Sequence, residues 1–447
     1  LVVYPVASIL LNYTHYVLFA RKHFANVYMV KGNAMAKFFR PGGIHEILEE
    51  VTDENGVVKD MFSVGMSAQG TGSLFVCEPE LIKRMLGEAE FPKQRLPYDA
   101  LKIIVGDGLV TSTGERWRIQ RRLITPVFHF KALREMEQYL HKNTNEWVES
   151  MRKRAGEPVH CFEQFSALAL RVIIDCAFGG DLDADRMAVL WNTVTKRFFM
   201  YFGLSLFYGP TVAKLLCMSL RSALNESRKL VLDLVHERKH LGGKAVVRGD
   251  LLGALLSVRD ENDNAMPDEQ LVDECMTFLF AGHDTTSNTI SWVMYFISQD
   301  PEVQARLRVE ADVVFAGRDQ LDAGEWKELT YSQQVVNEAL RMQPPLPFLD
   351  RETREDMTIN GVFLPKGTTV FPFFLGAHMS SKNWKNPHEF RPERFSSEEA
   401  KETGRSAFAF TPFSAGARNC VGRSLATMEA VTIVSTVARH FDVKLES

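Results

Sequence analysis

Within the ten residues Phe413-Ser414-Ala415-Gly416-Ala417-Arg418-Asn419-Cys420-Val421-Gly422 lie a thiol, a guanidinium and two glycines. Apolar Leu425, Met428, Val431 and Val434 then recur at helical spacing, which predicts a helix directly after the thiol. A sulfur at a helix start meets free backbone N–H groups and the positive end of the dipole, so thiolate is favoured over thiol. Gly416 and Gly422 let the backbone approach a large flat ligand, and Arg418 offers a cation to an anionic group. Haem iron and its propionates need that combination. A cysteine without these neighbours would read as a buried structural thiol.

A second constellation, Ala281-Gly282-His283-Asp284-Thr285-Thr286, sits inside a predicted helix from Pro267 to Ser298. Pro267 suits a first helical position, Asp268 and Glu269 suit the first turn, and Pro301 marks the stop. At roughly 45–50 Å such a rod would cross a whole domain. An acid, two hydroxyls and a glycine are costly inside a helix flanked by Phe278, Leu279, Phe280, Ile290, Trp292 and Val293. They point to a functional kink where water and a ligand meet the backbone.

Smaller signals surround these two. Trp117 and Arg121 lie one turn apart on one helix face, as do Glu338 and Arg341. Arg116, Arg118 and Arg122 form a basic patch able to attract an acidic partner. A hairpin is expected to end in Ser73-Leu74-Phe75-Val76, and a helix to open at Glu78-Pro79-Glu80. Residues 130–240 read as successive helices, and the polar stretch from Glu237 to Asp250 as an exposed linker. Asn360-Gly361 and Pro365-Lys366-Gly367 mark turns of a small sheet.

Phe413, Gly416, Arg418, Cys420 and Gly422 match the haem-binding signature of the cytochrome P-450 monooxygenases, which this chain resembles from about Met61 to its end. The resemblance implies a mainly α fold with small β-sheets, holding haem b between a long central helix and a Cys-bearing loop. Cys420 would be the axial ligand of the iron, with Trp117, Arg121, Arg351 and Arg418 on the propionates. Ala281 and Gly282 would be the small residues over the haem, and Asp284 and Thr285 the proton relay. Glu338, Arg341 and Arg394 would form a buried ion-pair triad bracing the Cys loop. Leu346, Phe348 and the apolar run from Lys196 to Met218 would border the substrate pocket.

The implied reaction is insertion of one atom of O2 into an apolar small molecule, a fatty acid, sterol or other lipid. Electrons would come from NAD(P)H through a flavoprotein reductase, with cytochrome b5 a further donor. The motif wording is nearest to the branch containing fatty-acid omega-hydroxylases. Many of its members carry a glutamate esterified to haem where this chain has Ala281, so covalent attachment is not expected. Two other readings remain open: a thiolate-haem isomerase or dehydratase acting on lipid hydroperoxides, and a non-enzymatic haem sensor. The Asp284-Thr285 pair speaks against the first.

The totals agree with an ordinary globular protein. The 447 residues are 45% hydrophobic and 24% charged, and a net charge of −4 argues against a nucleic-acid partner. Cys77, Cys161, Cys176, Cys217, Cys275 and Cys420 are scattered, without Cys-x-x-Cys, which disfavours zinc or a disulfide framework. Leu1 to Ala20 is mostly apolar and is followed by Arg21, Lys22 and His23. Residues 1–21 are therefore expected to be the end of a membrane anchor or an amphipathic helix, with 22–447 as the catalytic domain on the cytosolic face of the endoplasmic reticulum. The opening at Leu1, and the absence of the hairpin that usually follows in the family, suggest trimming at both ends.

Overall fold

A computed structural model describes residues 27–31, 42–64, 73–87, 91–93, 95–128, 130–241 and 250–446. The expectation of an anchor at 1–21 lies outside them. Among the described residues, no helix is long and apolar enough to cross a membrane. The chain divides into two compact units, 1–97 with 337–420, and 98–336 with 421–447.

The first unit carries the strands. β1 (Tyr28–Met29), β2 (Met61–Ser63), β3 (Ser73–Val76), β4 (Arg351–Glu352) and β7 (Thr369–Pro372) form one sheet in the order β1-β2-β3-β7-β4. The expected hairpin is the antiparallel β2–β3 pair, with Phe62 opposite Phe75. β5 (Met357–Ile359) and β6 (Val362–Leu364) make a separate hairpin. Its two turn residues, Asn360 and Gly361, have φ of 46° and 79°, the left-handed pair a tight hairpin demands. Within a largely aliphatic core, Phe62 stacks on Phe75 at 5.2 Å, and Phe373 meets both edge-on at 5.7 Å. Phe348, expected at a pocket wall, is half-buried and packs edge-on against Phe75 and Phe371. The helix opened by Glu78 is Pro79–Met85, where the Glu78 carboxylate accepts from the Leu81 amide at 2.7 Å.

The second unit is helical. The long helix is Asp268–Ser298, capped at Pro267, and it packs against the helix Cys161–Phe178. Helix Arg423–His440 buries Leu425, Met428, Val431 and Val434, the four positions whose spacing predicted it. The expected helices of 130–240 are Phe130–Arg152, Cys161–Phe178, Ala184–Leu216 and Met218–Leu241.

One expectation, the exposed linker from Glu237 to Asp250, fails in part, residues 242–249 lying outside the described residues. Residues 237–241 belong to the helix Met218–Leu241, not to a linker, and Arg238 is 1% exposed. Its guanidinium pairs with Asp250 at 2.8 Å and Asp181 at 2.9 Å, and donates to the Phe178 carbonyl at 2.5 Å. A buried arginine is tolerable because each face of it finds an acceptor.

Candidate functional site

In the first unit the structure brings Glu338, Arg341 and Arg394 together. Glu338 and Arg341 share one helix, Thr330–Met342, three residues apart. Arg341 Nε and Nη2 donate to the two Glu338 carboxylate oxygens at 2.7 and 2.8 Å. Arg394 Nε and the Arg391 amide both reach Glu338 Oε1 at 2.9 Å. The Arg394 guanidinium also donates to the Asn386 and Glu389 carbonyls. All three side chains are at most 2% exposed. Burial is therefore matched by hydrogen bonds, the condition under which a buried ion pair holds.

The Cys loop follows in the same unit. Its backbone is knotted by short bonds: Ser414 N to Thr411 O at 2.9 Å, Asn419 N to Gly416 O at 3.2 Å, and Cys420 N to Phe413 O at 2.9 Å. Gly416 has φ of 72°, and a Cβ there would stand 2.8 Å from the Leu86 carbonyl oxygen. No other residue fits that position without strain. Gly422 is different, since its φ of −84° is open to any residue. Of the two glycines singled out in the motif, the backbone conformation demands only the first.

His378, which sequence reasoning passed over, anchors the start of this loop. It is fully buried on the helix Phe374–Met379. Thr411 N donates to His378 Nε2 at 3.1 Å, while Nδ1 lies 3.1 Å from the Arg341 carbonyl oxygen. Burial, with the nearby Arg341 charge second, drives its pKa down to about 3.

In the second unit, Trp117 is buried and Arg121 half-buried on the helix Gly114–Ile124. The basic patch proves to be largely compensated. Arg116 pairs with Asp107, Arg118 with Glu115, and Arg122 with Glu261. Two of those acids are remote in sequence or lie outside the helix, so local composition overstated the charge.

The long helix runs unbroken through the Ala281–Thr286 motif. Its hydroxyls fold back onto the helix instead of interrupting it: Thr285 Oγ1 donates to the Ala281 carbonyl at 2.7 Å, and Thr289 Oγ1 to the Thr285 carbonyl at 2.9 Å. Ala281, Asp284, Thr285 and Asn288 share one face, and none of the four is buried. The opposite face is closed. His283 is buried, with Nε2 at 2.8 Å from Ser166 Oγ, and Thr286 is buried beside it. A Cβ on Gly282 would come within 2.9 Å of Ile173 Cγ1 and Cδ1. Gly282 thus serves the contact with helix Cys161–Phe178, and Ala281 is the small residue left on the open face. Gly282→Val is expected to destabilise the protein by about 1–3 kcal/mol in chemical denaturation, through overpacking. Adding Ile173→Ala should recover part of that loss.

These features fit a planar, anionic cofactor whose metal accepts a thiolate ligand. Cys420 is the exposed cysteine, while Cys77, Cys176, Cys217 and Cys275 are buried. Arg351 is 1% exposed, and its buried Nε has no hydrogen-bond partner. Asp350, whose pKa burial pushes up to about 6, adjoins it. A conformationally obligate glycine, an accessible thiol and a buried guanidinium with donor capacity to spare suit a propionate-bearing haem.

Comparison with known proteins agrees. Residues 32–447 match the family model described as Cytochrome P450. The chain is 32% identical to human cytochrome P450 4V2 over 378 residues, covering 77% of this chain and 70% of that one. It is 30% identical to the cytokinin hydroxylase of Arabidopsis thaliana over 381 residues, covering 82% and 73%. The crystal structure of the cytochrome P450DA heme domain superposes with a TM-score of 0.80 at 23% identity, over 92% of this chain and 90% of that one. The fold is that of a haem-dependent monooxygenase. The chain belongs to the cytochrome P450 family. Its cofactor is haem, its reaction needs O2, a lipophilic substrate and a redox partner, and family-4 cytochromes P450 stand among its relatives.

Proposed function

We propose that this protein hydroxylates a fatty acid or a related lipid, with Cys420 as the thiolate ligand of haem and with electrons from an NADPH-dependent flavoprotein reductase, cytochrome b5 being a second donor. The observation that carries the reading is the Cys420 loop, an accessible thiol held on a backbone that only Gly416 allows. Bound haem supplies oxygen activation, and a thiolate ligand favours O–O cleavage. Everything else falls to the chain. Trp117, Arg121, Arg351 and Arg418 are assigned to propionates. The methyl group of Ala281 offers no carboxylate for an ester bond, so haem is held without covalent attachment.

Asp284 and Thr285 are assigned to proton delivery. Thr285 Oγ1 spends its hydrogen on the Ala281 carbonyl and keeps its lone pairs for an incoming donor. Asp284, with 38% of its side chain exposed, can exchange protons with water and pass them inward. The apolar run from Leu1 to Ala20 ahead of Arg21, Lys22 and His23 supports a membrane setting, for which the cytosolic face of the endoplasmic reticulum is proposed.

The test is turnover with reductase, NADPH and a lipid panel under isotope-labelled dioxygen. One labelled oxygen per product is expected. Rearrangement of a lipid hydroperoxide without reductase would favour the isomerase reading instead, and the absence of NADPH consumption across the panel would favour a sensor. Thr285→Ala should still bind haem, yet lose product per NADPH by about 10²-fold or more as reducing equivalents escape to peroxide. Unchanged coupling would remove Thr285 from the relay.

A further inference from the structure

We propose that His378 is a positioning residue for Cys420: a neutral imidazole that ties the buried Glu338–Arg341 pair to the segment presenting the thiol. The proposal rests on Cys420 being the ligand of the iron.

The tautomer follows from the partners. A backbone amide can only donate, so His378 Nε2 must accept from Thr411 N at 3.1 Å. The ring hydrogen is then on Nδ1 and is donated to the Arg341 carbonyl oxygen at 3.1 Å. Arg341 closes the link from its side, with Nη1 donating to the His378 carbonyl at 2.9 Å. A ring this deeply buried stays neutral, as the tautomer requires.

The link continues toward the thiol. The Thr411 carbonyl accepts from Ser414 N at 2.9 Å, and the Phe413 carbonyl accepts from Cys420 N at 2.9 Å. The loop therefore depends on a fixed Thr411, and His378 holds its amide. Aromatic packing steadies the ring, with Phe410 at 5.4 Å and Phe410 itself against Phe395 at 4.7 Å. A histidine that merely filled space would use this packing and neither ring nitrogen.

Three substitutions separate the two roles. His378→Phe keeps ring volume and loses both bonds. His378→Gln places an amide where Nε2 stood, facing Thr411. His378→Asn reaches only the Nδ1 position, facing Arg341. In the haem-loaded full chain, amide hydrogen exchange over 411–420 should rise about tenfold in His378→Phe, the effect of losing a buried bond. Exchange in Asp268–Ser298 should not change. Gln should restore most of the protection and Asn little of it. The red-shifted carbon monoxide band should decay to that of ordinary haem in the same order, fastest in Phe and slowest in Gln.

Full protection in Phe would overturn the proposal, as would equal behaviour of Gln and Asn. If Phe does not fold, the comparison of Gln with Asn decides alone. A Cys420→Ala protein that kept the red-shifted band would remove the ligand reading instead, and the exchange data would still report on the strut itself.

Discussion

Cys420→Ala is expected to abolish the red-shifted Soret band of the reduced, carbon monoxide-bound protein, and hydroxylation with it. The band requires sulfur on the iron, so the question is whether another thiol could stand in. Burial raises the pKa of Cys77 and Cys176 well above that of an ordinary thiol, does the same for Cys275, and takes Cys161 to about 11. None of these is a thiolate near neutrality, because charge is costly in an apolar interior. The loss should be complete rather than graded, since no second sulfur is both accessible and ionisable among them. Cys161→Ala, at a half-buried thiol, is the matching control and should keep the band in full. Absorption difference spectra of the two variants decide the matter. A Cys420→Ala spectrum like that of wild type would end the proposed site.

The elements that position this chemistry were legible wherever a local signal determined them. The long helix begins after Pro267 and ends before Pro301, as the capping residues and the stop foretold. Asn360-Gly361 specified a hairpin because few other pairs accept two left-handed residues in succession. Glu338 and Arg341 met because three residues of helix bring them together.

What escaped depended on partners far along the chain. Arg238 lies in a charged run, and its acids come from 57 residues upstream and 12 downstream. Its burial leaves no trace in local composition. His378 takes both its ring partners from more than 30 residues away. The compensation of Arg122 by Glu261 was hidden by a separation of 139 residues. Gly416 and Gly422 are the same residue in one motif, yet only the φ values distinguish the obligate position from the ordinary one. Sequence carries the type of side chain, while the need for it arises from neighbours brought in by the fold.

Removing the Glu338 charge should have the largest effect on stability. Glu338→Gln preserves shape and leaves two guanidiniums, Arg341 and Arg394, buried side by side with no anion between them. The expected cost is about 3–5 kcal/mol, because the surviving charges keep their desolvation penalty and lose their counter-charge. The exposed pair Lys229–Asp233 gives the contrast, since breaking a solvent-screened contact of that kind should cost about 0–1 kcal/mol. Urea unfolding of the haem-loaded protein measures both. A second variant tests the cause. If the penalty comes from unpaired charge, adding Arg341→Met to Glu338→Gln should destabilise by much less than the sum of the single changes. Strict additivity would mean that each side chain contributes through its own packing, and the triad would then be a set of neighbours instead of one electrostatic unit.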